Sequence, residues 1–375
     1  MTRLVISGDS HVVEPFDLWS KPLGKKYGDR APHTVDKLNG VPGSYLFTGI
    51  EYIKAGELVE GDTPEMKQKL HTAGFDPYMR LKCMEEDGIW AEVCNSTFML
   101  YSMRIPDQQL VQDCCTVYND WIGEYISAAP NRLIGSAMIA MDDVSWATAE
   151  LERAAKVGLR SVIIYADTKP SLPPYRDKVY DRFWAAAEAH DMPVTIHIIT
   201  GRARDPFTLH GDAERSEVAR CNLDVFNEAG PVVANEFIFG GIFDRFPKMK
   251  LVLSEYEVSW LPYWLYRVKQ VQDDFGPALN IPKIKRRVAD YMGQIYHGLI
   301  DDPYLDKVMD VIDPKTIMWG SDFPHPRCTY PNSHKVIEGV LGHLDPEVQA
   351  GIAGLNAARF YNIELPQQRA VAAAE

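Results

Sequence analysis

Eight short apolar runs, most of them followed by a stretch with helical periodicity, constrain most strongly what this chain can fold into. The runs are 3–8, 89–94, 133–140, 159–165, 193–197, 250–254, 295–296 and 316–319. Segments 107–129, 145–157, 178–190, 259–273 and 346–361 carry apolar residues at helical spacing. Alternation of this kind implies a parallel sheet covered by helices, and eight units imply closure into a (β/α)8 barrel of the TIM type. Leu251-Val252-Leu253 and Val162-Ile163-Ile164 are apolar on both faces, as strands between a barrel interior and a helix layer must be.

A length of 375 residues suits one such barrel with insertions, so residues 1–375 read as a single domain. Two connections, about 12–76 after the first strand and about 200–248 after the fifth, exceed the roughly 2–6 residues of an ordinary βα loop. Both follow strand ends, so they are expected to wall a pocket over the catalytic face or to form a dimer interface. Trp19, Tyr45, Phe47, Tyr52, Phe98 and Tyr101 would give that pocket flat, apolar surface. A helix is expected around 63–70, and 367–375 reads as a frayed tail.

No apolar run approaches the roughly 18 residues of a membrane span, and the N-terminal residues enter a strand without a signal-peptide pattern. A cytoplasmic protein is therefore expected. A formal net charge of −13 argues against a nucleic-acid partner, and the basic run 283–287 reads as the solvated face of a helix. The six cysteines show no CxxC spacing and are expected to be reduced and structural. Cys328, three residues beyond His325, remains open to a role near the site.

Acids and imidazoles gather at strand ends. Asp9-Ser10-His11 follows the first run, His197 ends the fifth, and Trp319-Gly-Ser-Asp322-Phe-Pro-His325 ends the eighth. Asp9 and His11, two apart on one strand, point the same way. Singly, each has a plain alternative: a turn cap for Asp9 or Asp322, a surface histidine for His11, a core histidine for His197. Their joint occurrence at the ends of strands one, five and eight favours a metal site. With carboxylates and imidazoles and no thiolate, it suits Zn2+ or Mn2+.

These motifs resemble the amidohydrolase superfamily, in the branch of aminocarboxymuconate-semialdehyde decarboxylase and related aromatic acid decarboxylases. Asp9-x-His11-Val-Val-Glu-Pro, His197 and Trp-Gly-Ser-Asp322-Phe-Pro-His carry the resemblance, which spans essentially the whole chain. It implies one divalent ion held by Asp9, His11, His197 and Asp322. No lysine ends the fourth strand, so a carbamylated-lysine dinuclear site is not implied. Where the family commonly has a histidine after strand six, this chain has Glu255.

Glu255 either pairs with an arginine, Arg267 or Arg327, or takes over as proton carrier or extra ligand. Three carboxylates around one divalent ion would leave one negative charge uncompensated. The carboxylate least tied to the ion, Asp322 or Glu255, should then hold a proton and serve as a general acid. His297 and His325 are expected to orient a carboxylate or touch substrate. The resemblance thus implies a metal-dependent decarboxylase, a C–C lyase, of a small aromatic or conjugated carboxylic acid. Two alternatives stay open: a metal-dependent hydrolase of an amide, ester or C–C bond, and a degraded barrel that only binds. The expected partners are the small-molecule acid and a second copy in a dimer, with no membrane.

Overall fold

The computed structural model describes residues 4–54, 59, 61, 63–201, 214–280 and 283–366. Its main sheet has eight parallel strands, β1 (Ile6–His11), β2 (Ala91–Asn95), β3 (Leu133–Met138), β4 (Ser161–Ile164), β5 (Val194–His197), β6 (Leu251–Ser254), β7 (Ile295–Leu299) and β8 (Ile317–Trp319). They pair in sequence order, as a (β/α)8 barrel requires. The seam between β8 and β1 is closed by the backbone N–H groups of Ser321 and Asp322, which both donate to the Asp9 carbonyl, and by His11 N–H donating to the Phe323 carbonyl at 2.6 Å. Gly320 permits this approach, since a Cβ there would lie 2.7 Å from Asp9 Cβ.

Side chains from six strands (Ile6, Val93, Ile134, Val252, Tyr296 and Met318) meet in one cluster with Ala357, Ala358 and Phe360. Only the inside of a closed sheet lets strands so far apart in order share one cluster. The terminal helix Asn356–Phe360 therefore stoppers the N-terminal end and leaves the C-terminal end of the strands for chemistry. A second, larger cluster fills the layer between strands and helices. The expected helices are present with side-chain caps: Asp107 opens Gln108–Ile126, Asp143 opens Val144–Val157, and Thr63 opens Pro64–Phe75.

Several expectations need correction. β1 extends to His11 because Ser10 and His11 pair with Cys94 and Asn95 across a register shift, so the polar motif lies within the strand. β7 extends to Leu299, which puts His297 in mid-strand. The basic run 283–287 is not helical; the helix Val288–Tyr291 begins only after it. Trp19 is fully buried and donates to the Cys114 carbonyl, so it packs the core and lines no pocket.

Between β1 and β2 lie the helix Ser20–Tyr27, a three-stranded antiparallel sheet (His33–Leu38, Val41–Phe47, Tyr52–Lys54) and the helices Pro64–Phe75 and Pro77–Asp87. Residues 202–213 of the second long connection, and the tail 367–375, lie outside the described residues. None of the cysteines is bridged, and all but Cys328 are buried. Among the described residues no helix is long and apolar enough to cross a membrane.

Candidate metal centre

Each residue at the C-terminal mouth is delivered by a strand end. Asp9, His11 and His197 are at most 2% exposed, and Glu255 follows β6 directly. Glu255 and Asp322 both hold left-handed backbone, at φ 65° and 53°. Such backbone is costly for a residue with a side chain, and it gathers at functional sites.

The hydrogen bonds fix which ring nitrogens carry hydrogen. His11 Nδ1 lies 2.9 Å from the Ser96 carbonyl and His197 Nδ1 lies 3.1 Å from the Ile198 carbonyl. A carbonyl only accepts, so each Nδ1 is the donor and each neutral ring turns an Nε2 lone pair inward. His11 Nε2 faces Glu255 Oε1 at 2.9 Å, and His197 Nε2 faces it at 3.6 Å. Asp9 Oδ1 stands 3.8 Å from His11 Nε2 and 3.7 Å from His197 Nε2. Asp9 Oδ2 and His197 Nε2 are buried without a hydrogen-bond partner among the described residues.

With both rings neutral, four acceptors converge here, and either a proton on an imidazole or a bound cation must compensate them. Donor atoms sharing one ion at roughly 2.0–2.2 Å can lie no more than about 4.4 Å apart, and the spacings above fit. Asp9, His11, His197 and Glu255 form this compact set, while Asp322 groups with His11, Glu255 and His325. Glu255 thus stands in the compact set with Asp9, His11 and His197, where Asp322 was expected. The arginine pairing for Glu255 is overturned, since Arg267 bonds Gln270 and Arg327 pairs with Asp301.

Electrostatics follows the same geometry. Burial pushes the Glu255 carboxyl up, but His197 and His11 outweigh it and hold it well below the usual carboxylate range. Burial pulls His197 down, yet Glu255 and Asp9 raise it to about 9. A divalent ion would compete directly with that proton. Burial, and then the charge of Glu255, push Asp322 well above the ordinary range.

Asp322 and His325 form a second unit. Thr97 Oγ1 is 2.7 Å from the Val12 carbonyl, so its one hydrogen is spent there. His325 Nε2, 2.9 Å from the same oxygen, must then be the donor. That leaves His325 Nδ1 facing Asp322 Oδ1 at 2.8 Å with a single proton held between them. The His325 ring also lies 4.1 Å, centroid to centroid, from the His11 ring.

His297 is not brought to this cluster. It shares its side of β7 with Ile295 and Leu299, which pack into the outer layer, whereas Tyr296 points into the barrel. Both its nitrogens are buried without a partner among the described residues, and burial alone pushes it down to about 3. Cys328 is half-buried, and its thiol is pushed up to about 12, first by burial and then by Asp322.

Sequence reasoning missed the supports. Asn95 donates to Asp9 Oδ1 at 2.6 Å. Arg80, fully buried, donates to Glu92, to the His11 carbonyl and to Ser10 Oγ, and it stacks on Phe323. The available signal was position, since Asn95-Ser-Thr97 ends β2 as Asp9-Ser-His11 ends β1.

Comparison with known proteins bears on what such a centre belongs to. Residues 105–363 match the amidohydrolase family model. The chain belongs to the amidohydrolase family. Among curated relatives of this amidohydrolase, the gamma-resorcylate decarboxylase of Polaromonas sp. is 25% identical over 72% of this chain and 82% of its own. The 2-amino-3-carboxymuconate-6-semialdehyde decarboxylase of Dictyostelium discoideum is 22% identical over 73% of this chain and 72% of its own. Among solved structures, a dihydroxybenzoic acid decarboxylase of Polaromonas sp. with bound manganese and the inhibitor 2-nitroresorcinol superposes with a TM-score of 0.66. It is 18% identical, covers 97% of this chain and 98% of its own, and shares the fold.

Proposed function

We propose that this amidohydrolase is a metal-dependent carboxy-lyase that removes CO2 from a small aromatic carboxylic acid. The convergence of two carboxylates and two imidazole nitrogens from Asp9, His11, His197 and Glu255 carries the reading. The relatives that decarboxylate aromatic acids support it. In this proposal those four residues hold one divalent ion, which would supply a Lewis-acidic anchor for a substrate carboxylate. Two carboxylates and two imidazoles accept zinc or manganese, and the manganese in the Polaromonas structure favours manganese.

Asp322 and His325 then act as the proton carriers. Decarboxylation of an aromatic acid requires a proton on the ring carbon that bears the carboxylate. Asp322 delivers it, the carbon–carbon bond breaks, its electron pair restores the ring, and CO2 leaves. His325 Nδ1 holds the shared proton against Asp322 between turnovers.

The test incubates the manganese-loaded protein with 2,6-dihydroxybenzoate and 5-carboxyvanillate in D2O. The expected result is CO2 release and one deuterium at the vacated ring position. Absence of CO2 across a panel of aromatic acids, together with turnover of amides or esters, would overturn the proposal in favour of the hydrolase.

A further inference from the structure

Glu14, the second acidic residue of the first motif, has no place in the reading above, yet it is 1% exposed and fully engaged in hydrogen bonds. Its carboxylate accepts from Ser96 Oγ, from Thr97 N–H at 3.3 Å, from Phe98 N–H at 3.0 Å and from Met99 N–H at 3.2 Å. Ser96 Oγ in turn accepts from Met99 N–H at 2.8 Å, which closes the turn.

This turn carries the atoms that orient the site. Asn95 holds Asp9, the Ser96 carbonyl takes the His11 Nδ1 hydrogen, and Thr97 Oγ1 takes the His325 Nε2 hydrogen. Three consecutive residues thus each fix one side chain of the centre. The two histidine contacts select opposite tautomers, with hydrogen on Nδ1 in His11 and on Nε2 in His325. The first frees a lone pair for a cation, and the second frees a nitrogen for the proton held with Asp322.

We infer that Glu14 is a positioning residue: by clamping the Ser96–Met99 backbone it sets the tautomer and aim of both His11 and His325. The inference deepens the proposed metal and proton roles and rests on them. Three of its four partners are backbone N–H groups that only donate, and the Ser96 hydroxyl donates to it as well. A glutamine with its N–H2 toward Thr97 and Phe98 would leave both N–H groups unpaired; with its N–H2 toward Ser96 Oγ it would reverse that hydrogen bond and take one of two acceptors from Met99 N–H, so either orientation loosens the clamp. The clamp reaches the metal through the Ser96 carbonyl alone and the proton carrier through Thr97 alone, which makes the two effects separable.

The test titrates Mn2+ calorimetrically into chelator-stripped wild type, Glu14→Gln and Thr97→Val. The histidine tautomers are read in parallel by NMR on 15N-histidine-labelled protein. Glu14→Gln should weaken Mn2+ binding by about 10–100-fold, the cost typical of losing support behind a ligand, and should shift both imidazole signatures. Thr97→Val should leave the Mn2+ Kd within about twofold, shift only the His325 signature and lower kcat.

A Glu14→Gln protein that is less stable yet binds Mn2+ like wild type, with both tautomers unchanged, would make Glu14 merely structural. If Glu14→Gln does not fold, Ser96→Ala removes one partner and keeps the carbonyl; unchanged Mn2+ affinity and an unchanged His11 signature in that variant would equally overturn the inference. Failure of wild type to bind Mn2+ would count against the metal reading instead, and the tautomer shifts would still decide the role of Glu14.

Discussion

Replacing Arg80 by methionine should destabilise the fold strongly. Arg80 is fully buried and Glu92 is 2% exposed. The guanidinium gives Nε–H to Glu92 at 2.5 Å, Nη1–H to the His11 carbonyl at 2.6 Å and Nη2–H to Ser10 Oγ at 2.6 Å, and it stacks 4.4 Å from the Phe323 ring centroid. Methionine preserves much of the apolar contact but strands the Glu92 carboxylate in the interior. Removing one partner of a buried ion pair costs about 3–5 kcal/mol, because the remaining charge is uncompensated. Replacing both partners by apolar groups of similar size is far cheaper, so Arg80→Met with Glu92→Leu should recover more than half of that loss. Reversible urea titration of the metal-free proteins measures the difference. A loss below about 1 kcal/mol, or a double variant no better than the single, would refute the claim that the uncompensated charge dominates.

Three further outcomes follow from the site. His197→Ala should abolish tight Mn2+ binding while keeping the far-UV spectrum of the folded barrel, checked by metal analysis after gel filtration; full occupancy would remove His197 from the ligand set. Asp322→Asn should keep most of the metal and lower kcat by about 10²-fold or more, since the proton shared with His325 is lost; a near-normal kcat would exclude that role. His297→Leu should retain activity and change the acid limb of stability. Burial holds the His297 imidazole at about 3, against about 6.5 in the unfolded chain, so between those values the unfolded state binds a proton that the folded state refuses. Stability from this residue is complete above pH about 6.5 and falls by up to about 1.4 kcal/mol per unit as the pH drops toward 3. The leucine variant should lack that slope in urea titrations across the range, and an unchanged slope would mean that other groups carry the acid sensitivity.

The barrel was legible in the sequence because its cause is local. Runs such as Val162-Ile163-Ile164 and Leu251-Val252-Leu253 declare buried strands through their own side chains, and helical periodicity between them leaves one parallel architecture. Asp9, His11, His197 and Asp322 were legible for a related reason: a barrel brings all strand ends to one mouth, whatever their separation in the chain. Which of them share one point in space was not. A strand boundary misplaced by three residues moved His297 from the mouth to mid-strand, where its parity turns it into the outer layer. Glu255 joins the compact set because a left-handed φ of 65° after β6 brings its carboxylate beside His11 and His197, a conformation that no residue pattern announces. Glu14, Arg80 and the Asn95–Thr97 turn became visible only once β1 lay against β2, because a hydrogen bond depends on position and angle to within tenths of an ångström, and side-chain periodicity carries no information at that scale.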